Sequence, residues 1–295
     1  MKLITCSIFM LISSLSFSQE TRILDSLTKK PLMYTNAKFY LNNKIIGGDY
    51  CDEKGKITIN KIDFDSVEFS QIGYEAKIIS RKFIRDTILM NQVAISLNEI
   101  KIEKNSKHKI TSLGYINYKK KIRLSAYKGF EIVVYIDNPF NQLKEIQSFL
   151  FKVKKEGKFK TAIRIHFYKK DLEKLIPGKE ILNEDIIQYI DGKTKEIFEV
   201  DVSKYEIELP IEGAFIGIEW LGVLNEKTGE FNMNDSNWDA TYIDVNDKIN
   251  IPLTFTRSKF ADPEWKNTEN MKNEFKNIIE YKNFPNASFG IKIFE

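Results

Sequence analysis

The chain has 295 residues, of which 45 are Lys or Arg and 41 are Asp or Glu, and its net charge at pH 7 is +4. These charges alternate without forming blocks, so the sequence offers no basic surface of the kind that binds nucleic acid. The length predicts two domains. After the N-terminus, no apolar run is long enough to span a bilayer.

The first residues, MKLITCSIFMLISSLSFSQE, are typical of a secretory signal peptide. Lys2 supplies the positive charge, Leu3 to Leu15 is mostly apolar, and Ser16 and Ser18 are the small residues that a signal peptidase reads. An apolar run of about 15 residues spans about 22 Å, less than the roughly 30 Å of a bilayer core. We therefore expect residues 1–18 to be removed and the protein to be exported to the periplasm, the outer-membrane surface or the medium.

The stretch GGDYCDEKGKITI, Gly47 to Ile59, poses a choice between a metal loop, a redox site and a turn. Its acids lack the alternating spacing of a calcium loop. Cys51 is the only cysteine after loss of the leader, so it has no partner for an intramolecular disulfide. Gly55 before an alternating segment is typical of a β-hairpin turn. We interpret the stretch as a hairpin turn.

Strand patterns dominate the rest of the chain, because short segments alternate apolar and polar residues between turn-forming clusters. One segment, Pro263 to Lys282, has helical spacing instead. The frequency of strands and turns predicts an all-β protein made of β-sandwiches. The predicted strands are Ala37–Leu41, Lys56–Ile59, Ser66–Ser70, Val93–Leu97, Phe130–Ile136, Ala162–Tyr168, Ile197–Val202, Ala214–Gly222, Ile249–Phe255 and Ser288–Phe294.

Residues 19–100 resemble the carboxypeptidase-regulatory-like domain, a small transthyretin/Ig-like β-sandwich. The likeness rests on a D…T…PL…A pattern, the G…DE.G turn, an IGY motif after an apolar strand, and the tail LNEIKI. Cys51 stands where the family usually has Thr. The zinc peptidase domain and the outer-membrane barrel that accompany such domains elsewhere have no counterpart in the sequence. The residues that carry the pattern are Asp25, Thr28, Pro31, Leu32, Asn36, Ala37, Ile72, Gly73 and Tyr74.

A lysine-rich segment without large aromatics, residues 101–112, is predicted to link this domain to a second one. Residues 113–295 are predicted to form a larger, jelly-roll-like β-sandwich. Four of their segments carry a resemblance: Ala162–Tyr168, Pro177–Ile186, Val200–Pro210 and Glu212–Gly222. On these segments, the region resembles the uncharacterised β-sandwich that follows the regulatory-like domain in some exported proteins of Gram-negative bacteria, and this resemblance implies no activity.

Candidate catalytic groups are few. The two histidines are His108, in the predicted linker, and His166, on the polar face of Ala162–Tyr168 opposite its apolar residues. Two distant histidines and one thiol fall short of a zinc site. Glu131 and Glu219 are the acids of a hypothetical hydrolase, which requires two carboxylates converging in a cleft with at least one displaced pKa. A binding module predicts scattered, solvated acids instead.

A different hypothesis starts from four aromatic residues, Trp220, Trp238, Tyr242 and Trp265. Trp238, Tyr242 and Trp265, with nearby Asn and Asp, are candidate ligand-binding residues, because exposed tryptophans stack on sugar rings in carbohydrate-binding modules. The competing interpretation assigns Trp220 to the core and Trp238 to a loop cover. A glycan site of this kind requires Trp238 and Trp265 to be exposed on one surface.

The sequence therefore predicts an exported, non-catalytic binding or structural module of the bacterial cell envelope, with a protein or glycan partner. We assign no catalytic, metal-binding or cofactor-binding residue and no cofactor. The alternatives are a glycan-binding module and a hydrolase that acts on envelope or extracellular polysaccharide.

Overall fold

Strands form both halves of the chain, as the apolar–polar alternation predicts. The structure is a computed structural model that describes residues 20–59, 63–93, 109–119, 122–125, 127–156, 159–191, 195–225, 240–269 and 283–294. Within these ranges the protein is all-β, with two consecutive β-sandwich units.

The first sandwich packs a three-stranded sheet, in the order β4-β1-β7, against a four-stranded sheet, in the order β3-β2-β5-β6. Inward-facing side chains such as Ile23, Phe39, Val67 and Phe69 form its core. Its strands are β1 (Glu20–Asp25), β2 (Asn36–Leu41), β3 (Lys44–Tyr50), β4 (Lys56–Thr58), β5 (Ser66–Ser70), β6 (Lys77–Ser80) and β7 (Thr87–Met90).

The second sandwich is larger, and its strands are β8 (Ile110–Gly114), β9 (Ile122–Ser125), β10 (Phe130–Ile136), β11 (Lys144–Glu156), β12 (Lys160–Asp171), β13 (Ile176–Glu180), β14 (Ile186–Ile190), β15 (Lys195–Asp201), β16 (Glu208–Leu209), β17 (Ala214–Leu224), β18 (Ala240–Asn246), β19 (Thr254–Ser258), β20 (Asp262–Asn267), β21 (Asn286–Ala287) and β22 (Phe289–Phe294). One sheet runs β13-β12-β17-β10-β19-β20, with β14 also on β12. The other runs β21-β18-β11-β22-β8, with β15 and β16 on β11 and β9 on β18. A core rich in Phe, Ile and Val lies between them.

The stretch after β3 forms a turn, but it is not a hairpin turn. It joins β3 to β4, which belong to opposite sheets of the first sandwich. The Asp52 carboxylate accepts hydrogen bonds from the backbone N–H groups of Lys54 and Lys56, and Gly55 has φ +70°. Cys51 is fully buried, and burial raises the pKa of its thiol to about 12. The thiol donates to the backbone oxygen of Leu32, so it serves as a small core residue and is not a nucleophile.

Most predicted strands agree with the structure, and Ser66–Ser70 and Phe130–Ile136 match β5 and β10 residue for residue. The prediction for Ile249–Phe255 is wrong except at its last two residues, which begin β19. The side-chain oxygen of Asn286 accepts hydrogen bonds from the backbone N–H groups of Leu253 and Thr254 and takes the place of a strand partner.

The predicted helix from Pro263 to Lys282 is wrong over its first residues. These residues lie in β20, where pairing with β19 and packing of Trp265 on Arg257 override the helical spacing. Residues 270–282 lie outside the described ranges, as do most of the predicted strand Val93–Leu97 and His108. Strand β8 begins at Ile110, inside the predicted linker, and pairs with β22.

The two sandwiches contact each other through close-packed groups at the polar face of β12. Phe260 packs on the Tyr50 ring, with ring centroids 5.0 Å apart, and a Cβ atom on Gly48 would lie 2.1 Å from its Cδ1 atom. A Cβ atom on Gly73, where φ is +81°, would lie 2.1 Å from the backbone oxygen of Asn183. The first sandwich therefore covers the polar face of β12, which would otherwise be solvated.

In the described part of the chain, we find no helix long and apolar enough to cross a membrane.

Candidate functional site: a buried charge network at the domain junction

A row of four charged residues, two acids with a cation at each end, crosses four neighbouring strands of the second sandwich. Arg164 on β12 lies opposite Glu219 on β17, which lies opposite Glu131 on β10, which lies opposite Arg257 on β19. Both glutamates are fully buried, and Arg164 is 1% exposed. Directly opposed residues on antiparallel strands are close enough for their side chains to interact. The sheet register thus brings these two like charges together and places a cation on each side of them.

Glu219 is held by donors from both sandwiches. Its Oε2 atom accepts from Arg164 Nη1 at 3.0 Å, Lys259 Nζ at 2.9 Å and His166 Nε2 at 2.9 Å. Its Oε1 atom accepts from the Tyr50 hydroxyl of the first sandwich at 2.5 Å. A buried carboxylate with this many donors is strongly favoured in its ionised form.

Glu131 has its own set of donors. Its Oε2 atom accepts from Arg257 Nε at 2.8 Å, and its Oε1 atom accepts from the Tyr168 hydroxyl at 2.6 Å. Arg257 in turn donates to the Tyr168 oxygen at 3.0 Å and lies over the Trp265 ring, 4.1 Å from its centroid. The Glu131 carboxylate is therefore fixed by two side chains that are themselves packed.

His166 connects the row to a further carboxylate. Its Nδ1 atom lies 2.6 Å from Glu180 Oε2, and its Nε2 atom lies 2.9 Å from Glu219 Oε2. Because a carboxylate faces each ring nitrogen, the site favours the doubly protonated imidazolium. The imidazole is stacked on the Tyr168 ring at 5.3 Å.

The pKa shifts follow from this geometry. Burial alone would raise the pKa of Glu131, but Arg257, His166 and Lys259 outweigh it and hold that pKa below its ordinary value of 4.5. Burial likewise opposes ionisation of Glu219, and Lys259, Arg164 and His166 hold its pKa well below 4.5. Burial opposes the charge on His166, but Glu131 and Glu180 raise its pKa above 6.5. All three groups are therefore held in their charged forms.

Arg164 ties the network to the backbone of the first sandwich. Its Nη2 atom donates to the backbone oxygen of Tyr34 at 2.7 Å, and its Nε atom forms an ion pair with Asp185 at 2.9 Å. Nearby, the Tyr34 and Tyr189 hydroxyls both lie 3.0 Å from Glu53 of the turn after β3. Glu53, in that turn, therefore contributes to the domain junction.

A cleft of about 380 Å³ opens beside the network. The first sandwich lines it with residues around the IGY motif, and the second lines it with side chains of the network. Glu131 and Glu219 are not among the lining residues and lie beneath them. The lining residues are Asn36, Ser70, Gln71, Ile72, Gly73, Val93, His166, Tyr168, Lys179, Glu180, Leu182, Asn183, Arg257 and Lys259.

Metal binding has no support in the network as it is built. Across the described ranges, no group of three His, Cys, Asp or Glu side chains is arranged to hold a metal ion. The carboxylates that could serve as ligands already accept from Arg and Lys, which a cation would have to displace.

The predicted aromatic residues are distributed differently. Trp220 is 4% exposed and lies in the core, as the competing interpretation had it. Tyr242 is half-buried on β18, in the opposite sheet from β20, where half-buried Trp265 packs on Arg257. Trp238 lies outside the described residues. The candidate ligand-binding set thus remains a prediction, and its two described members lie on different sheets.

Glu131 and Glu219 match neither the arrangement expected for a hydrolase nor the one expected for a binding module. Glu131 and Glu219 converge, as a hydrolase requires, yet both are ion-paired with lowered pKa values. A binding module predicted scattered, solvated acids, and these two acids are neither scattered nor solvated. The faces of β12 were predicted correctly: Ile163, Ile165 and Phe167 enter the core, and the histidine lies on the opposite face.

Sequence analysis missed Arg257, Lys259 and Glu180 as members of the network. A charged residue in the middle of an otherwise apolar strand, as in AIRIHFY and FIGIEWL, was an available signal for Arg164 and Glu219 but not for these three residues. Such a residue is either exposed on one face or buried with a partner. The sequence does not give the partner, because the strand order that pairs β12 with β17 and β10 is not local information.

Comparison with known proteins adds little. No protein-family model and no curated protein matches the sequence. Among solved structures, this chain has a weak similarity to the cysteine protease and lectin-like domains of Cwp84, a surface layer associated protein of Clostridium difficile. It is also similar to the clostridial cysteine protease Cwp84 after propeptide cleavage. Each match has 8% identity, a TM-score of 0.42 and 89% coverage of this chain, which spans 59% and 66% of the two structures. Likeness at this level implies no activity.

Replacing the central carboxylate tests whether the network holds the fold together. The substitution Glu219→Gln removes the anion that pairs with buried Arg164 and half-buried Lys259, and leaves them Asp185 and, at 3.8 Å, Glu131. We expect a loss of about 3 to 5 kcal/mol in the free energy of unfolding. Urea unfolding followed by tryptophan fluorescence measures it. The control is Glu212→Gln, which changes an exposed acid just before β17 and is expected to stay within about 0.5 kcal/mol. Equal stability of the two variants would contradict the prediction.

The network also predicts how stability depends on pH. The pKa of His166 is raised on folding, so its contribution is complete below pH 6.5 and is lost as pH rises through the folded-state pKa. The pKa values of Glu131 and Glu219 are lowered, so their contribution is complete above pH 4.5 and is lost as pH falls. We expect maximal stability between these values, measured by urea unfolding over a pH series.

In that series, His166→Gln should remove the decline in the free energy of unfolding above pH 6.5. The control His108→Gln, at the other histidine of the chain, should retain that decline. A decline that persists unchanged in His166→Gln would show that another group causes it.

Proposed function

We propose that this chain is an exported, non-catalytic binding or structural module of the bacterial cell envelope, whose partner is an envelope protein or glycan. The observation that carries the proposal is the set of ion pairs that Arg164, Arg257 and Lys259 make with Glu131 and Glu219. Glycoside hydrolysis requires one protonated carboxylic acid to protonate the leaving group. The cations around both glutamates hold them ionised, and neither has a proton to give. The signal peptide predicted at residues 1–18 supports export.

A carboxypeptidase-regulatory-like domain is our proposal for the first sandwich. Supporting this, motif residues that are distant in sequence share one hydrogen-bond network: Asp25 Oδ1 accepts from the Thr28 backbone at 2.6 Å, and its Oδ2 atom accepts from the Tyr74 hydroxyl at 2.9 Å. These bonds, the Thr28 backbone first, lower the pKa of Asp25 to about 2. Such a network serves the fold of the domain and does not require a substrate.

A hydrolase is the second candidate, favoured by the convergence of the two glutamates near the cleft. For this mechanism, at least one of them must titrate near neutral pH when the protein is folded. Their position beneath the lining of the cleft, with Lys259 and Arg257 above them, argues for a structural role instead.

Titration of the two carboxylates decides between these candidates. In protein labelled with ¹³C at the Glu carboxyl carbon, we expect the Glu131 and Glu219 resonances to remain those of carboxylates from pH 7 down to pH 4.5. The variants Glu131→Gln and Glu219→Gln assign the two resonances, and Glu212→Gln identifies an exposed reference. A carboxyl group that titrates at or above about pH 6 would support the hydrolase.

Export and partner binding are tested together in native cells. We expect the tagged full-length protein to be recovered from the cell envelope or medium with Gln19 as its first residue, and crosslinking to capture an envelope protein or polysaccharide. The control is a chain that begins at Met followed by Gln19 and lacks the leader. Full-length protein that stays unprocessed in the cytoplasm, like the control, would contradict the proposal.

A further inference from the structure

The cleft at the domain junction is built from both sandwiches and contains a buried polar atom without a partner. Asn36 lines the cleft and is 6% exposed. Its Nδ2 atom donates to the backbone oxygen of Ser70 at 3.1 Å, but its Oδ1 atom has no hydrogen-bond partner among the described residues. A buried acceptor left unpaired is costly, so it calls for a donor that the described residues do not supply.

Cations dominate the charged lining of the same cleft. Lys179, Arg257 and Lys259 line it together with one carboxylate, Glu180. That carboxylate is already occupied, because its oxygens lie 2.6 Å from His166 Nδ1 and 2.9 Å from the backbone nitrogen of Phe167. Lys179 is exposed at the rim. A molecule that enters the cleft therefore meets a surface suited to an anion.

The donors of the two half-buried cations, Arg257 and Lys259, are only partly used. The Arg257 guanidinium has five N–H groups, and Glu131 and Tyr168 accept from Nε and Nη2. The Lys259 ammonium has three, of which one is donated to Glu219 at 2.9 Å, and Glu131 lies 3.8 Å away. Ion pairing fixes both side chains without exhausting their hydrogen-bonding capacity. Such pre-organised donors lose little entropy when they bind a carboxylate.

We propose that this cleft binds a saccharide that carries a carboxylate. The carboxylate faces Lys179, Arg257 and Lys259, and a sugar hydroxyl donates to Asn36 Oδ1. The uncharged polar side chains Ser70, Gln71 and Asn183 suit further hydroxyl groups, and a volume of about 380 Å³ is in the range of small-ligand sites. This inference rests on the proposed function as a binding module and gives it a ligand class.

Calorimetric titration of the mature protein with digalacturonate tests the proposal, with galactobiose as the neutral disaccharide of the same size. We expect digalacturonate to bind, galactobiose to bind at least about tenfold more weakly, and added salt to weaken only the charged ligand. Lys179→Ala should weaken digalacturonate binding about tenfold. Lys174→Ala, at an exposed lysine outside the cleft, should leave binding unchanged.

Asn36→Ala tests the second contact, since it should weaken the binding of both disaccharides, whereas Asn250→Ala, at an exposed asparagine outside the cleft, should not. Unfolding curves identify any variant that has lost its fold. No binding of millimolar digalacturonate to the folded wild type, or equal binding by Lys179→Ala and Lys174→Ala, would overturn the site.

Three further outcomes distinguish failure of this inference from failure of the proposed function. Preferential binding of N-acetyl-alanyl-alanine, a peptide with a free carboxylate, would overturn the saccharide assignment. Cleavage of digalacturonate during the titration would support the site but overturn the non-catalytic function. Capture of an envelope partner in cells by a protein that binds no digalacturonate would overturn this inference alone.

Discussion

The pairing of Glu131 with Glu219 in the sheet register is the constraint on which the rest of the structure depends. Two buried carboxylates on adjacent strands repel each other and are costly to desolvate. Cations must therefore surround them: Arg164 and Arg257 come from the strands on either side, and Lys259 comes from the turn after β19. The charge network is consequently a requirement of the fold once the two acids are placed there.

The same requirement explains how the two sandwiches are joined. The network lies on the outer face of its sheet, where water would solvate it if the first sandwich were absent. Tyr50 donates to Glu219, and the backbone of Tyr34 accepts from Arg164, so the first sandwich completes hydrogen bonds that water would otherwise make. Phe260 supplies an apolar contact beside them. Docking is thus specific, because displaced sandwiches would leave buried charges without partners.

The alternation of apolar and polar residues predicted where strands form, but it did not predict which strands pair or what covers them. The alternation in AIRIHFY placed Ile165 in the core and His166 on the other face. It could not indicate that this second face is also buried, since that depends on a sheet some 130 residues earlier, as the bond from Arg164 to Tyr34 illustrates. The helical spacing was misleading over Pro263 to Asn267, because the pairing of β20 with β19 depends on a second strand and not on the spacing within one segment.

By itself, the sequence determined the all-β class, the faces of the strands and the turn at Gly55, because these depend on side-chain period and on backbone freedom within a few residues. The tertiary structure alone decided that Glu131 and Glu219 meet, that Arg257 and Lys259 neutralise them, and that Asn36 lines a cleft between the two sandwiches. Electrostatic energy depends on distances in space and on burial. Neither quantity can be obtained from spacing along the chain before the strand order is known.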